Sequence, residues 1–203
     1  RYKDDNVKSY REFYDNTLRL LKSNDLDSFD ISKEDNSTRE KYGLNKFGQG
    51  CLLARRLVET GVRFVEVATD GWDMHNNLES EMEDLSPPLD QAYAALIADL
   101  EARGLLDETL VVLATEFGRK PQYSGNGRGH YPICYSSVLA GGGVKRGYVY
   151  GSSDQDGALP NDPVTVPDLH ATIGWAAGLP LQEKFQASWI QNDLYKSRNM
   201  GAL

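Results

Sequence analysis

Leu110–Arg119 reads LVVLATEFGR, an apolar run that ends in charged side chains. The near-continuous order of Leu, Val, Val, Leu and Ala is typical of a parallel strand covered on both faces. The chain then turns polar, which places Glu116 and Arg119 where open α/β sheets bind their ligands. We therefore predict a central strand over 109–115 with a functional site at its carboxyl end. The alternative is that the two charged residues only solvate a strand end.

The segments around this run alternate between helical and extended patterns. FGQGCLLARRLVETG predicts a helix over 47–60, and the following VRFVEVA predicts a strand over 62–68. A long amphipathic pattern covers residues 78–103, and Pro87 and Pro88 are predicted to divide it into a short acidic segment and a helix over 88–103. A further strand is expected at 135–140. The order strand, helix, strand indicates a parallel crossover unit, so the predicted fold class is α/β with a mainly parallel sheet.

The two ends of the chain are more polar than its middle. Residues 6–22 have apolar side chains at helical spacing, which predicts an amphipathic helix lying on a larger body. Residues 23–45 predict a loop with short helical turns, anchored by Phe29 and Ile31. The tail over 186–203 has three candidate anchors, Trp189, Ile190 and Leu194. The sequence opens on Arg1 without Met or a signal peptide, so we expect a processed or truncated piece of a longer protein.

Composition narrows the domain count and the class of partner. A length of 203 residues with 40% hydrophobic content predicts one domain over 1–203. Its core is expected at about 47–181, with an appendage at 1–46. The net charge of −8 disfavours nucleic acid as a partner. No apolar run reaches about 18 residues, so no membrane span is predicted. Cys51 and Cys134 lie in apolar settings and are predicted to be buried thiols.

Residue types that bind metals follow both central strands and recur in the next loop. Asp73 and His75 follow the strand at 62–68, Glu116 follows the strand at 109–115, and His130 lies in a glycine-rich loop. Carboxylates mixed with imidazoles suit Zn, Mn or Fe better than Mg or Ca, and two ions would support hydrolysis of a phosphate or sulfate ester. A metal site at these four residues is therefore one interpretation.

The competing interpretation assigns these residues no function. Asp73 would cap the next segment, while His75 and His130 would be ordinary loop residues hydrogen-bonded to backbone. Spacing alone does not separate the two interpretations. His170, in the first turn of a predicted helix from Pro167 to about Ala177, is better suited to packing or capping. The glycines near His130 match no phosphate-binding fingerprint.

Several segments together resemble one bacterial protein family. The chain is similar, over roughly residues 25–181, to the family catalogued as domain of unknown function 1501. The strings that carry the resemblance are FGQGCLLARRLVETGVRFVEV, DGWDMHNN, LLDETLVVLATEFGRKP, NGRGHYP, SSVLAGGGVKRG and VTVPDLHATIGWAAGLP.

The resemblance implies a fold, a chemistry and a location. The family is placed in the alkaline phosphatase-like superfamily, with phosphatases and sulfatases, which implies a three-layer α/β/α sandwich that here lacks the N-terminal strand. Asp73, His75, Glu116 and His130 follow the order of that superfamily's metal ligands and would hold Zn or Mn at low occupancy. Glu116 would act as ligand or base, and Arg119 would hold a small anionic ester substrate. Family members are commonly exported through a twin-arginine signal, which implies an exported or periplasmic protein.

Departures from the family pattern modify these expectations. Phe117 follows Glu116 where the superfamily usually has His, so one ion is expected instead of two. Gly129 stands where the family usually has Asp, which removes a ligand or a residue that orients one. The superfamily's nucleophile lies on the N-terminal strand that is expected to precede this sequence. The predicted function is therefore that of a protein resembling metal-dependent phosphate or sulfate ester hydrolases, with a partial site that lacks this nucleophile. The alternative is a non-catalytic exported binding or surface protein that keeps the fold without the chemistry.

Overall fold

The computed structural model describes residues 4–180, together with 186–187 and 190–191 of the tail. Helices make up 48% of the structure. The α-helices are α1 Asp4–Lys22, α2 Asn36–Tyr42, α3 Lys46–Glu59, α4 Leu78–Ala102 and α5 Val166–Ala176. The strands are β1 Val111–Leu113, β2 Gly118–Arg119, β3 His130–Tyr131, β4 Val138–Ala140, β5 Ser152–Ser153, β6 Pro160–Asn161, β7 Gln186–Ala187 and β8 Ile190–Gln191.

The chain divides into two compact units. The first comprises Arg1–Asp70 and Pro87–Leu96, and the second comprises Gly71–Ser86 and Ile97–Leu203. The prediction of a single domain over 1–203 therefore stays a prediction, and each unit is described by itself.

The core of the first unit forms around α3. The side chain of Asn45 accepts a hydrogen bond from the backbone of Gly48 at 2.8 Å and caps the start of this helix. Its apolar face then packs into a cluster of buried residues: Tyr42, Cys51, Leu52 and Ala92, flanked by Phe47, Val67, Ala95 and Leu96. The helix predicted over 47–60 is confirmed as Lys46–Glu59, because its N-cap and its periodicity are local properties of the chain.

Ion pairs join the polar segment before α3 to this helix. Arg55 is 1% exposed, and its guanidinium contacts Glu34 Oε2 at 2.8 Å and Glu59 Oε2 at 2.7 Å. Arg56 also pairs with Glu34 and donates to the Asp27 and Ser28 carbonyls, both at 2.8 Å.

The expected apolar anchor at Phe29 is wrong. Its side chain is 58% exposed, and Ile31 is only half-buried. The apolar side chains of α1 also stay largely exposed: Tyr10 is 66% and Phe13 67% exposed. The segment before α3 is therefore held by the ion pairs of Arg55 and Arg56 with Glu34, and not by the predicted apolar anchors.

Helix α4 continues through two prolines, Pro87 and Pro88. The sequence predicts that Pro87 and Pro88 divide this region, yet the helix is continuous from Leu78 to Ala102. Neither proline has an N–H, so the carbonyls of Glu83 and Asp84 lose their intrahelical donors. Both residues are exposed, and water can take the place of the missing donors. The helix therefore tolerates the prolines at a solvent-facing turn.

The predicted central strand exists, but it pairs in the opposite sense. β1 pairs antiparallel with β4, with Val111 opposite Ala140 and Leu113 opposite Val138. Gly141, at φ 72°, follows β4, and a Cβ there would lie 2.3 Å from the Thr109 carbonyl oxygen. This close approach brings the residue after β4 against the start of β1, as the antiparallel register of the pair requires.

The predicted fold class is therefore wrong. The α/β fold was expected to be a three-layer α/β/α sandwich with a mainly parallel sheet, but every strand pair in the described part of the chain is antiparallel and two-stranded. Residues 62–68, all described, form no strand, and Phe64 is 77% exposed. A short apolar run favours extended backbone, but it does not encode the direction of its partner.

The C-terminal part of the second unit contains helix α5 and the short strands β7 and β8. Helix α5 begins at a capping box in which the Thr165 hydroxyl and the Asp168 carboxylate bond each other's backbone. The suggested tail anchors Trp189 and Leu194 lie outside the described residues.

No helix in the described part of the chain has the length and apolar character of a transmembrane span.

Candidate metal centre

Three ligand atoms in the second unit converge on one point. His130 Nε2 lies 2.8 Å from Asp73 Oδ1, and His75 Nε2 lies 3.1 Å from the same oxygen. The two imidazole nitrogens are 3.1 Å apart. The three atoms therefore form a nearly equilateral triangle, in which His130 joins two residues more than fifty positions before it in the sequence.

The triangle is close to the dimensions that one six-coordinate cation requires. With metal–ligand bonds of about 2.0–2.2 Å, neighbouring ligand atoms lie about 3.3–3.6 Å apart in a tetrahedral Zn²⁺ site and about 2.8–3.1 Å apart where adjacent bonds meet at about 90°. The observed spacings of 2.8–3.1 Å match the second case and are shorter than the tetrahedral spacing. Two imidazoles and one carboxylate also form a common donor set for transition metals. The residues thus fit a single divalent ion.

A tight turn presents Asp73 and His75 on the same side. The His75 N–H donates to the Asp73 carbonyl at 3.0 Å, which folds the backbone between them. Met74 is buried, and its carbonyl accepts from the Arg128 N–H at 3.0 Å. The turn is therefore held at its centre while its two polar side chains stay exposed.

His130 reaches the same point from a short antiparallel ladder. β2 pairs with β3, and Arg119 is directly opposite His130. The Lys120 N–H donates to the Gly129 carbonyl at 2.9 Å, which continues the ladder into the loop. Side chains of directly opposed residues lie on one face, so Arg119 and His130 point the same way.

The loop before His130 is joined to the segment that carries His75. The Leu78 N–H donates to the Asn126 carbonyl at 3.0 Å, and the Asn126 amide donates to the Asn77 side chain at 3.0 Å. Gly127, the residue after Asn126, is buried, and a Cβ there would lie 2.1 Å from the carbonyl carbon of His75. Only glycine fits this approach. Backbone contacts therefore bring the two histidines together.

Arg119 and Glu116 lie beside the triangle. Arg119 Nη1 is 3.0 Å from Asp73 Oδ1, and its Nη2 is 3.4 Å from both Glu116 Oε1 and the Trp72 carbonyl. The hydrogen bond from His130, together with the nearby positive charge of Arg119, holds the pKa of Asp73 below its usual value. Asp73 is thus kept as a carboxylate, the form that binds cations.

The sequence-predicted site residues divide into two groups. Asp73, His75 and His130 form the ligand triangle, whereas Glu116 stands outside it and is paired with Arg119. His170 is exposed on α5 and also lies outside the triangle. The predicted metal role of the three ligands stays a prediction, and their geometry is compatible with it.

Two contributors to the site were not predicted from the sequence. The Phe117 ring lies 4.5 Å from the His130 ring and 5.4 Å from the Arg119 guanidinium carbon, measured between centroids and to Cζ. Gly127 forms the close approach described above. The Asn126-Gly127 pair was visible as a turn, but its partner segment depends on tertiary structure.

Comparison with known proteins identifies one family. The family model described as "Protein of unknown function (DUF1501)" matches residues 1–193, almost the whole chain. Searches of curated proteins and of solved structures find no match.

Proposed function

We propose that this protein, which belongs to the DUF1501 family, binds one divalent transition-metal ion at Asp73, His75 and His130 and uses it to hydrolyse small anionic esters. The observation that carries the proposal is the triangle of Nε2, Nε2 and Oδ1 atoms, with sides of 2.8–3.1 Å. Two imidazoles with one carboxylate favour Zn²⁺ or Mn²⁺ over Mg²⁺ or Ca²⁺.

The surrounding charges support an anionic ester, of phosphate or sulfate, as the substrate class. Arg119 contributes a guanidinium beside the triangle, and such a group binds phosphate or sulfate oxygens by charge-assisted hydrogen bonds. Glu116 is 61% exposed and pairs with Arg119, so its carboxylate is available as a base next to a bound anion. When bound, the ion supplies Lewis acidity for the attack of water on the ester.

Isothermal titration with Zn²⁺, Mn²⁺ and Mg²⁺ tests the metal proposal. We expect one Zn²⁺ or Mn²⁺ ion per chain and weak or undetectable Mg²⁺ binding. His75→Ala or His130→Ala should abolish metal binding, because only two of the three protein ligands remain in each variant. His170→Ala is the matched control, since this exposed histidine lies outside the triangle. Equal binding by all three variants would overturn the metal site.

Turnover separates the two candidate functions. The three ligands are 47–60% exposed, and this openness favours a second candidate, a metal-binding surface protein without catalysis. We expect metal-dependent release of product from phosphate or sulfate monoesters, lost in Arg119→Gln without loss of metal. Stoichiometric metal binding with no turnover would support the second candidate instead.

Export and kinship with the alkaline phosphatase-like superfamily are further predictions from the family resemblance. If the protein is exported, its site for anionic esters would meet substrates outside the cytoplasm. Fractionation of cells that produce the native protein from its full-length gene tests export. We expect the protein outside the cytoplasmic fraction.

A further inference from the structure

We infer that Phe117 is the positioning residue of the candidate metal centre: its ring sets the orientation of the His130 imidazole and of the Arg119 guanidinium. This inference rests on the proposed function for its consequence, but not for its geometry.

The first contact is with a ligand ring. The Phe117 and His130 rings lie 4.5 Å apart between centroids and are inclined by 49°. The His75 and His130 rings are 4.8 Å apart and inclined by 40°. His130 therefore has two aromatic neighbours, and of these Phe117 is the one that cannot itself bind an ion. An exposed imidazole without such a neighbour turns about its χ angles.

The second contact is with the guanidinium. Arg119 Cζ lies over the Phe117 ring at 5.4 Å, within the range of a cation–π interaction. The same guanidinium contacts Asp73 Oδ1 at 3.0 Å. The Phe117 ring thus contacts the ligand His130 and also the Arg119 guanidinium, which itself contacts the ligand Asp73. Neither contact requires an ion to be present.

The backbone of Phe117 is held in place as well. The Thr115 hydroxyl donates to the Phe117 carbonyl at 3.0 Å, and β2 begins at the next residue, Gly118. A Cβ on Gly118 would lie 2.2 Å from the Cys134 carbonyl oxygen, so this strand is closely packed. The ring therefore extends from a rigid point, as a positioning residue requires.

The test has one part without metal and one with it. In the metal-free protein, nuclear Overhauser contacts between the His130 and His75 ring protons, whose ring centroids are 4.8 Å apart, report the orientation of His130 without depending on the ring current of residue 117. Phe117→Leu should weaken these contacts, and Phe117→Tyr should restore them. Contacts of equal strength in Phe117→Leu and in the wild type would overturn the inference, whether or not the protein binds a metal.

The second part measures Zn²⁺ or Co²⁺ affinity by titration. Residues that orient metal ligands contribute about 10–100-fold to affinity, so Phe117→Leu should weaken binding by about tenfold, with recovery in Phe117→Tyr. Tyr123→Leu is the matched control, because Tyr123 makes a similar contact with Arg128, at 4.9 Å. It should leave affinity unchanged. A wild type that binds no ion would overturn the proposed function, and the metal-free spectra would still decide the role of Phe117.

Unfolding is monitored in the same samples. Phe117 is half-buried, so removal of its ring costs some stability. A purely structural role would lower the melting temperature without changing the contacts between the His130 and His75 rings in the molecules that remain folded. Weakened contacts together with reduced affinity in a folded Phe117→Leu variant are the expected result. Reduced stability with wild-type contacts and affinity would contradict the positioning role.

Discussion

Arg119 and His130 are directly opposite each other in the antiparallel ladder between β2 and β3, and both contact the same oxygen of Asp73. Arg119 Nη1 is 3.0 Å and His130 Nε2 is 2.8 Å from Asp73 Oδ1. The short ladder thus delivers a cation and an imidazole to one carboxylate. This arrangement combines a candidate metal ligand set with a group that can hold an anion.

Removal of the histidine ligands should leave the fold intact. His75 and His130 side chains are 47% and 48% exposed, so neither contributes much to a core. We expect His75→Ala and His130→Ala to change the free energy of unfolding by no more than about 0.5 kcal/mol in the absence of metal. Urea denaturation followed by circular dichroism measures this. A loss of several kcal/mol would mean that the triangle is a structural element.

Gly127→Ala should separate the two loops of the site. Its Cβ would lie 2.1 Å from the carbonyl carbon of His75, where only a backbone shift gives relief. Overpacking of this kind costs about 1–3 kcal/mol, and we also expect metal affinity to fall. Denaturation and metal titration measure the two effects.

Gly129→Ala is the control for this change. A Cβ on Gly129 would make ordinary contacts with the Lys120 side chain, at 3.6 and 3.7 Å. The substitution lies in the same loop and next to His130. Similar losses of stability and affinity in both variants would show that any side chain in this loop is harmful, and would remove the special role of Gly127.

Glu34→Gln should destabilise the first unit, because Arg55 would keep its charge in a buried position. Removal of one partner from a buried ion pair costs about 3–5 kcal/mol, and the lower end is expected because Arg55 still contacts Glu59 at 2.7 Å. Denaturation at pH 7 measures the loss. Asp27→Asn, which removes an exposed pair with Lys33, is the control and should cost no more than about 1 kcal/mol.

The same pair predicts a dependence of stability on acid. Burial favours a higher pKa for Glu34, but hydrogen bonds from Arg55 and Arg56 outweigh it and hold the pKa below the ordinary 4.5. As the pH falls, the Glu34 carboxylate is therefore protonated at a higher pH in the unfolded chain than in the folded chain. The stabilisation is present above pH 4.5 and is lost as the pH falls through the lower folded value. If Glu34→Gln loses stability over this range as steeply as the wild type, the ion pair is not the cause.

Cys51 should be unreactive in the folded protein and should weaken the fold in alkali. Burial raises the pKa of its thiol from 9.0 to about 11. Stability is therefore full below pH 9 and declines as the pH rises towards 11, by up to about 3 kcal/mol. Stability curves of the wild type and Cys51→Ala measure the difference. Parallel curves between pH 8 and 11 would contradict it.

Alkylation gives an independent check of the same burial. Cys134 is half-buried, whereas Cys51 is 4% exposed within the core. In native protein at pH 8, iodoacetamide should modify Cys134 first, and Cys51 only after addition of denaturant. Equal rates at both cysteines would show that the core of the first unit opens readily.

The sequence by itself predicted helix α3 and four candidate ligands, of which the structure brings Asp73, His75 and His130 together. Helix α3 follows from its own apolar spacing and from the Asn45 cap, which act within one or two turns. Asp73, His75 and His130 were recognisable because few other side chains bind transition metals.

Tertiary structure alone decided the strand directions and the way in which the ligands meet. The apolar pattern of β1 does not depend on the direction of its partner, and only the structure shows that β4 pairs with it in the antiparallel sense. The contacts of Phe117 and Gly127 likewise join segments far apart in sequence. Local patterns carry local energies, whereas the partner of a strand, a ring or a glycine depends on where the rest of the chain lies.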